Sequence, residues 1–78
     1  MRQDYAKAAK WFRLAADQGS GLGQLQLGGL YYTGEGVPKD IGAAVKWFRL
    51  SAENGILAGQ DLLGAMYDIG DGVPQDYV

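Results

Sequence analysis

The chain has no cysteine and no histidine among its 78 residues. That removes thiolate nucleophiles, disulfide staples, imidazole general bases and nearly all zinc sites before any motif is sought. Positive charge is scarce as well: seven Lys and Arg stand against nine Asp and Glu, a formal net charge of −2. A phosphate-backbone binder wants a basic face, so no nucleic-acid partner is expected. Long apolar runs are also missing. The longest uncharged stretches, 18–34 and 54–60, carry Gly, Gln and Ser or Asn and are too polar to span a bilayer, so no membrane insertion is expected. The opening Met1-Arg2-Gln3-Asp4-Tyr5 lacks the apolar core of a signal peptide. The absence of cysteine fits a reducing, cytoplasmic setting without fixing the compartment.

What the chain has in excess is glycine, 13 of 78 residues, where an average protein carries about 7%. Glycine at that level suggests a flexible chain. Yet 47% of the residues are hydrophobic and 12% aromatic, which is the composition of a core-forming domain. Periodicity resolves the conflict. A shift of 36 places Lys10-Trp11-Phe12-Arg13-Leu14 on Lys46-Trp47-Phe48-Arg49-Leu50, and Gly34-x-Gly36-Val37-Pro38 on Gly70-x-Gly72-Val73-Pro74. Of 42 overlapping positions 19 are identical, and ten glycines fall into five pairs (Gly19/Gly55, Gly23/Gly59, Gly28/Gly64, Gly34/Gly70, Gly36/Gly72). A repeat with paired glycines points to caps, turns and close contacts, not to disorder.

Each period reads as two helices, and no segment alternates as a strand does, so the chain is all-α. The longer helix spans about 4–18 and again 40–54, with Asp4 and Asp40 as N-caps and Gly19 and Gly55 as C′ residues. Its apolar stripe runs through Tyr5, Ala8/Ala9, Phe12 and Ala15/Ala16, copied as Ile41, Ala44/Val45, Phe48 and Ala52. Trp11 and Trp47 fall one position off that stripe, so each is expected at its edge and partly exposed, as a point where a partner could touch. Lys7, Lys10 and Arg13 form a basic stripe on the other side, read as a solvated outer face or as a grip for acidic groups. The shorter helix spans about 22–33 and 57–69, with Leu27/Tyr31 and Leu63/Tyr67 each four apart on one face. Gly28 and Gly64 lie inside that face, where helices can approach closely. The expected structural core is Ala8, Phe12, Leu27, Gly28, Tyr31, Ala44, Phe48, Leu63, Gly64 and Tyr67.

Catalytic chemistry finds little footing. Gly19-Ser20-Gly21-Leu22-Gly23 follows a helix and lacks the Gly-Lys-Ser/Thr of a phosphate cradle. The hydroxyls Ser20, Thr33 and Ser51 have no histidine to serve as base, and the carboxylates Glu35, Asp68 and Asp71 read as solvated loop and surface groups. The chain is not expected to be an enzyme, and no cofactor or metal is expected.

Leu27-Gly28-x-x-Tyr31, Gly34-x-Gly36-Val37-Pro38-x-Asp40 and Ala44-x-Lys46-Trp47-Phe48-x-x-x-Ala52, closed by Gly55, resemble the Sel-1-like repeat, a relative of the tetratricopeptide repeat. The chain departs from the family's pattern in three ways. Gly23 and Gly59 replace alanine, which should loosen the start of the shorter helix; Ser51 replaces alanine; and the cysteines that staple some secreted members are absent. The resemblance implies a single module over 1–78, a right-handed α-solenoid of antiparallel helix pairs. Its frame puts the shorter helix first, giving four helices with half-repeats at both ends and a stub at 76–78 opening a further helix. It implies a protein-interaction scaffold that recognises another protein or peptide on the concave face lined by the first helices. There the copies differ at Leu25, Gly29, Tyr32 and Thr33 against Asp61, Ala65, Asp68 and Ile69, while the packing positions repeat. A binding face is free to differ between copies where a packing face is not. The alternative is a self-assembling repeat fragment, a head-to-tail or helix-exchanged homo-oligomer, because each end offers what the other lacks.

Overall fold

The computed structural model describes residues 4–69. Four α-helices of 13 residues follow one another: α1 (Tyr5–Asp17), α2 (Gly21–Thr33), α3 (Ile41–Glu53) and α4 (Leu57–Ile69). The expected glycines 70 and 72, Asp71 and the stub at 76–78 lie outside the described residues. Each helix packs on its neighbours in chain order, α1 on α2, α2 on α3 and α3 on α4. The architecture is an all-α helical repeat.

The caps follow from the sequence. Asp4 Oδ1 accepts from Lys7 N and Asp40 Oδ1 from Ala43 N, both at 3.0 Å. Each satisfies one of the four amides that a helix start leaves without an intrahelical partner. Ser20 does the same for α2, accepting from Gly23 N at 3.1 Å. Ile56 occupies the equivalent place before α4 and has no side-chain acceptor to offer. Gly19 (φ 90°) and Gly55 (φ 83°) end α1 and α3 in the left-handed region. The amides beyond them close the same pair of bonds in both copies. Gly19 N donates to Ala16 O and Ser20 N to Ala15 O; Gly55 N donates to Ala52 O and Ile56 N to Ser51 O, all at 3.0–3.1 Å. This double closure is the Schellman arrangement, which satisfies the last free carbonyls of the helix.

Two apolar clusters hold the helices together. Ala44, Val45, Phe48 and Met66 form one, joined by Leu25, Tyr31, Ile41 and Leu63 at its margin. Ala16, Leu27 and Trp47 form the other, joined by Phe12, Tyr31 and Leu50. Tyr31 borders both. Each large side chain fully buried contributes about 1.5–3 kcal/mol, which is what offsets the ordering of so short a chain.

Three expectations need correction. Trp47 is buried, only 8% exposed, whereas Trp11 is 65% exposed. Periodicity within one helix marks the face turned to its own partner; Trp47 lies on a second face, covered by the preceding unit. Gly64 is exposed, and among the described residues no atom lies within 4 Å of where its Cβ would stand. The helix that would press on it, as α3 presses on Gly28, is not among them. Gly23 and Gly59 do not loosen their helices; they are buried points of closest approach. A Cβ on Gly23 would meet Ala15 Cβ at 2.8 Å, and one on Gly59 would overlap Ser51 Oγ. Of the remaining expected core, Leu27, Gly28, Ala44 and Phe48 are buried, and Ala8, Phe12, Tyr31, Leu63 and Tyr67 are half-buried.

Candidate functional site

The helix pairs are tied by polar bridges that recur with the repeat. Arg13 Nη1 donates to Tyr31 Oη at 3.5 Å, and 36 residues later Arg49 Nη2 donates to Tyr67 Oη at 2.8 Å. Gln24 Nε2 donates to Ala16 O at 3.3 Å, and Gln60 Nε2 to Ala52 O at 3.2 Å. Gln24 is buried, and its Oε1 accepts from Asn54 Nδ2 at 2.9 Å, so one amide joins α1, α2 and the end of α3. Sequence reasoning passed over Gln24 and Gln60, although their identity across the shift was the signal: a polar residue repeated inside an apolar face has a fixed partner.

The basic stripe is partly absorbed by these bridges. The Arg13 guanidinium lies 5.6 Å from the Trp47 ring centroid and the Lys46 ammonium 5.5 Å from it, both within cation–π range. Arg13 also pairs with Asp17 at 3.5 Å, one turn along the exposed face of α1. Lys7 and Lys10 are exposed and flank Trp11 and Leu14, which with them line an open depression of about 780 Å³ on α1.

The candidate recognition positions lie on α2 and α4. On α2, Gly29 is half-buried with open space beyond its Cα, Tyr32 is 37% exposed, and Thr33 is exposed. Thr33 Oγ1 contacts Gly29 O, Leu30 O and Glu35 Oε1, so its hydroxyl is spent on the helix end. Leu25 is set apart from these three: it is half-buried against the cluster of Ala44, Val45, Phe48 and Met66. On α4, Asp61, Ala65 and Asp68 are exposed. The backbone of Ile69 closes α4. Spacing by three, four and seven puts Gly29, Tyr32 and Thr33 on one face of α2, and Asp61, Ala65 and Asp68 on one face of α4.

The hydroxyls weighed for catalysis have structural partners. Ser20 caps α2, and buried Ser51 donates to Phe48 O at 2.8 Å. No group of three or more metal-ligating side chains occurs among the described residues, and no helix there is long and apolar enough to cross a membrane.

The Sel1 repeat family matches residues 1–20, 21–56 and 57–78. No curated protein matches the chain. Among solved structures, it is similar to c5321, a protective antigen of uropathogenic Escherichia coli strains displaying an SLR fold. That likeness has a TM-score of 0.92 and 48% identity, and covers 96% of this chain and 16% of that one. A Sel1 repeat protein from Oxalobacter formigenes is similar at a TM-score of 0.92 and 31% identity, over 99% of this chain and 32% of that one. The chain thus spans about a sixth and a third of these relatives. Sel1 repeats are in general protein-interaction modules of a helical-repeat scaffold. With three consecutive matches along its whole length, the chain belongs to the Sel1 repeat family.

Proposed function

We propose that the chain is a non-catalytic scaffold that recognises a segment of another protein along the α2 and α4 face, through Gly29, Tyr32, Thr33, Asp61, Ala65 and Asp68, with Leu25 and Ile69 at its margin. One observation carries the reading. The positions that pack between helices repeat across the 36-residue shift, whereas these surface positions change chemistry from one copy to the next. The α2 portion offers an aromatic ring beside an open glycine, and the α4 portion offers carboxylates. The segment that fits is one with an apolar side chain to lie over Gly29 beside the Tyr32 ring and a basic one facing Asp61. The structural use of Ser20, Ser51 and Thr33 supports the absence of catalysis.

The test is capture of a partner by the chain and by a Tyr32→Ala, Asp61→Lys double variant, with helicity compared by circular dichroism. Loss of the partner at unchanged helicity supports the reading. Equal capture by the double variant rejects the face.

A further inference from the structure

α1 and α3 are copies, yet among the described residues only α3 has its second face covered. On α3 that face carries Trp47, 8% exposed, and half-buried Leu50, both in the cluster with Ala16 and Leu27. On α1 the same two positions, Trp11 and Leu14, are 65% and 55% exposed and line the open depression. The groups that cover Trp47 have their own copies at the other end of the chain. Arg13, Ala16 and Leu27 recur as Arg49, Ala52 and Leu63. Gly28, on which the Phe48 ring lies, recurs as Gly64, and no atom of the described residues lies within 4 Å of its Cβ position.

We propose that a second copy of this chain seats its α1 on the α3–α4 end of the first, in the register in which α3 sits on α1 and α2 within one chain. Trp11 of the second copy then packs on Ala52 and Leu63 with the Arg49 guanidinium over its ring. Phe12 lies on Gly64 as Phe48 lies on Gly28. Gln18, at the C-cap position held by Asn54 in the next copy, donates to Gln60 Oε1 as Asn54 donates to Gln24.

Charge favours the same pairing. α1 carries Lys7, Lys10 and Arg13 against Asp17, a sum of +2, and α4 carries Asp61 and Asp68, a sum of −2. Because the two surfaces differ, the contact is heterologous and stays open at both ends, so association grows past two copies. It shares Asp61 and Asp68 with the recognition reading through their charge alone; the packed seat, formed by Ala52, Gln60, Leu63 and Gly64, uses none of the recognition positions.

Sedimentation velocity over a concentration series tests it, with Trp11→Glu and Gly64→Leu made separately. Both positions are exposed, and leucine is a better helix former than glycine, so neither change threatens the fold. The unaltered chain should gain mass beyond a dimer as concentration rises, less so at high salt. Each variant alone should stay a single chain, with at least a tenfold loss of association. An equal mixture should stop at a heterodimer, because one intact α1 face meets one intact α4 face. A chain that stays monomeric into the millimolar range overturns the proposal. So does a closed dimer that ignores both substitutions, the signature of helix exchange, or a mixture that fails to pair.

Discussion

The Phe48 ring lies where a side chain at position 28 would have to be: a Cβ on Gly28 would stand 2.7 Å from both Cδ1 and Cε1. Phe48 is 3% exposed, and Ala44 O is 3.3 Å from the same point, so neither the ring nor the backbone can yield cheaply. An alanine at 28 gains about 1 kcal/mol of helix propensity and loses about 1–3 to overpacking. Gly28→Ala is therefore expected to lower stability by roughly 1 kcal/mol, the difference of those two effects. Gly64→Ala meets no atom of the described residues and should raise it by about 0.5–1 kcal/mol. Urea denaturation of the pair checks this, and equal effects at the two sites would contradict the packing.

Gln24 should matter more than its copy. It is 4% exposed and joins Ala16 O to Asn54 Nδ2, whereas Gln60 is exposed and bonds Ala52 O. Gln24→Met removes two hydrogen bonds, each worth a net 0.5–1.5 kcal/mol, about 1 overall once the added apolar burial is counted. Gln60→Met should cost less than about 0.5 kcal/mol. A double-mutant cycle of Gln24→Met with Asn54→Ala should show coupling of about 0.5–1.5 kcal/mol. Additive effects would mean that the Gln24–Asn54 bond contributes nothing.

Comparing copies also shows what the sequence could disclose. Asp4, Asp40, Gly19 and Gly55 act through local geometry, capping their own helices, so residue type and position were enough to place them. Trp47 and Gly23 act through the neighbouring repeat, whereas among the described residues nothing packs on Gly64. A solenoid helix has two buried faces, one toward its partner and one toward the next unit, and a 3.6-residue stripe reports mainly the first. Trp47 therefore looked like an edge residue and Gly64 like a core one. The recognition positions were legible as differences between copies, except that Leu25 differs from Asp61 because it joins a cluster, not because it faces outward.

The two tryptophans should separate in any stability measurement. Trp47 fills the cluster of Ala16 and Leu27, with Arg13 and Lys46 at its ring. Trp47→Ala should cost about 3–5 kcal/mol, enough to unfold most of so small a chain. Trp11→Ala should stay within about 0.5 kcal/mol at micromolar concentration. Fluorescence gives an independent reading. The Trp11→Ala protein keeps only the buried indole and should emit to the blue of the unaltered chain, shifting red on unfolding. Emission already red in the folded state would mean that Trp47 is wet.

At the start of α1, Tyr5 faces Glu35 in the loop after α2. The carboxylate's negative charge, then burial, then their hydrogen bond hold the Tyr5 phenol above its ordinary pKa of 10.0. All three favour the neutral phenol in the folded chain. A folded pKa above the unfolded one means the contribution to stability is complete below pH 10 and disappears as pH rises through the folded value. Removing the hydroxyl with Tyr5→Phe abolishes that dependence. The stability difference between the unaltered chain and Tyr5→Phe should therefore be flat from pH 7 to about 9 and shrink above about 10. Paired denaturation curves across that range check it. A difference that stays constant into strong alkali would show that Glu35 and the phenol do not interact, and would leave Gly36, packed on the Tyr5 backbone, as the tie between the loop and α1.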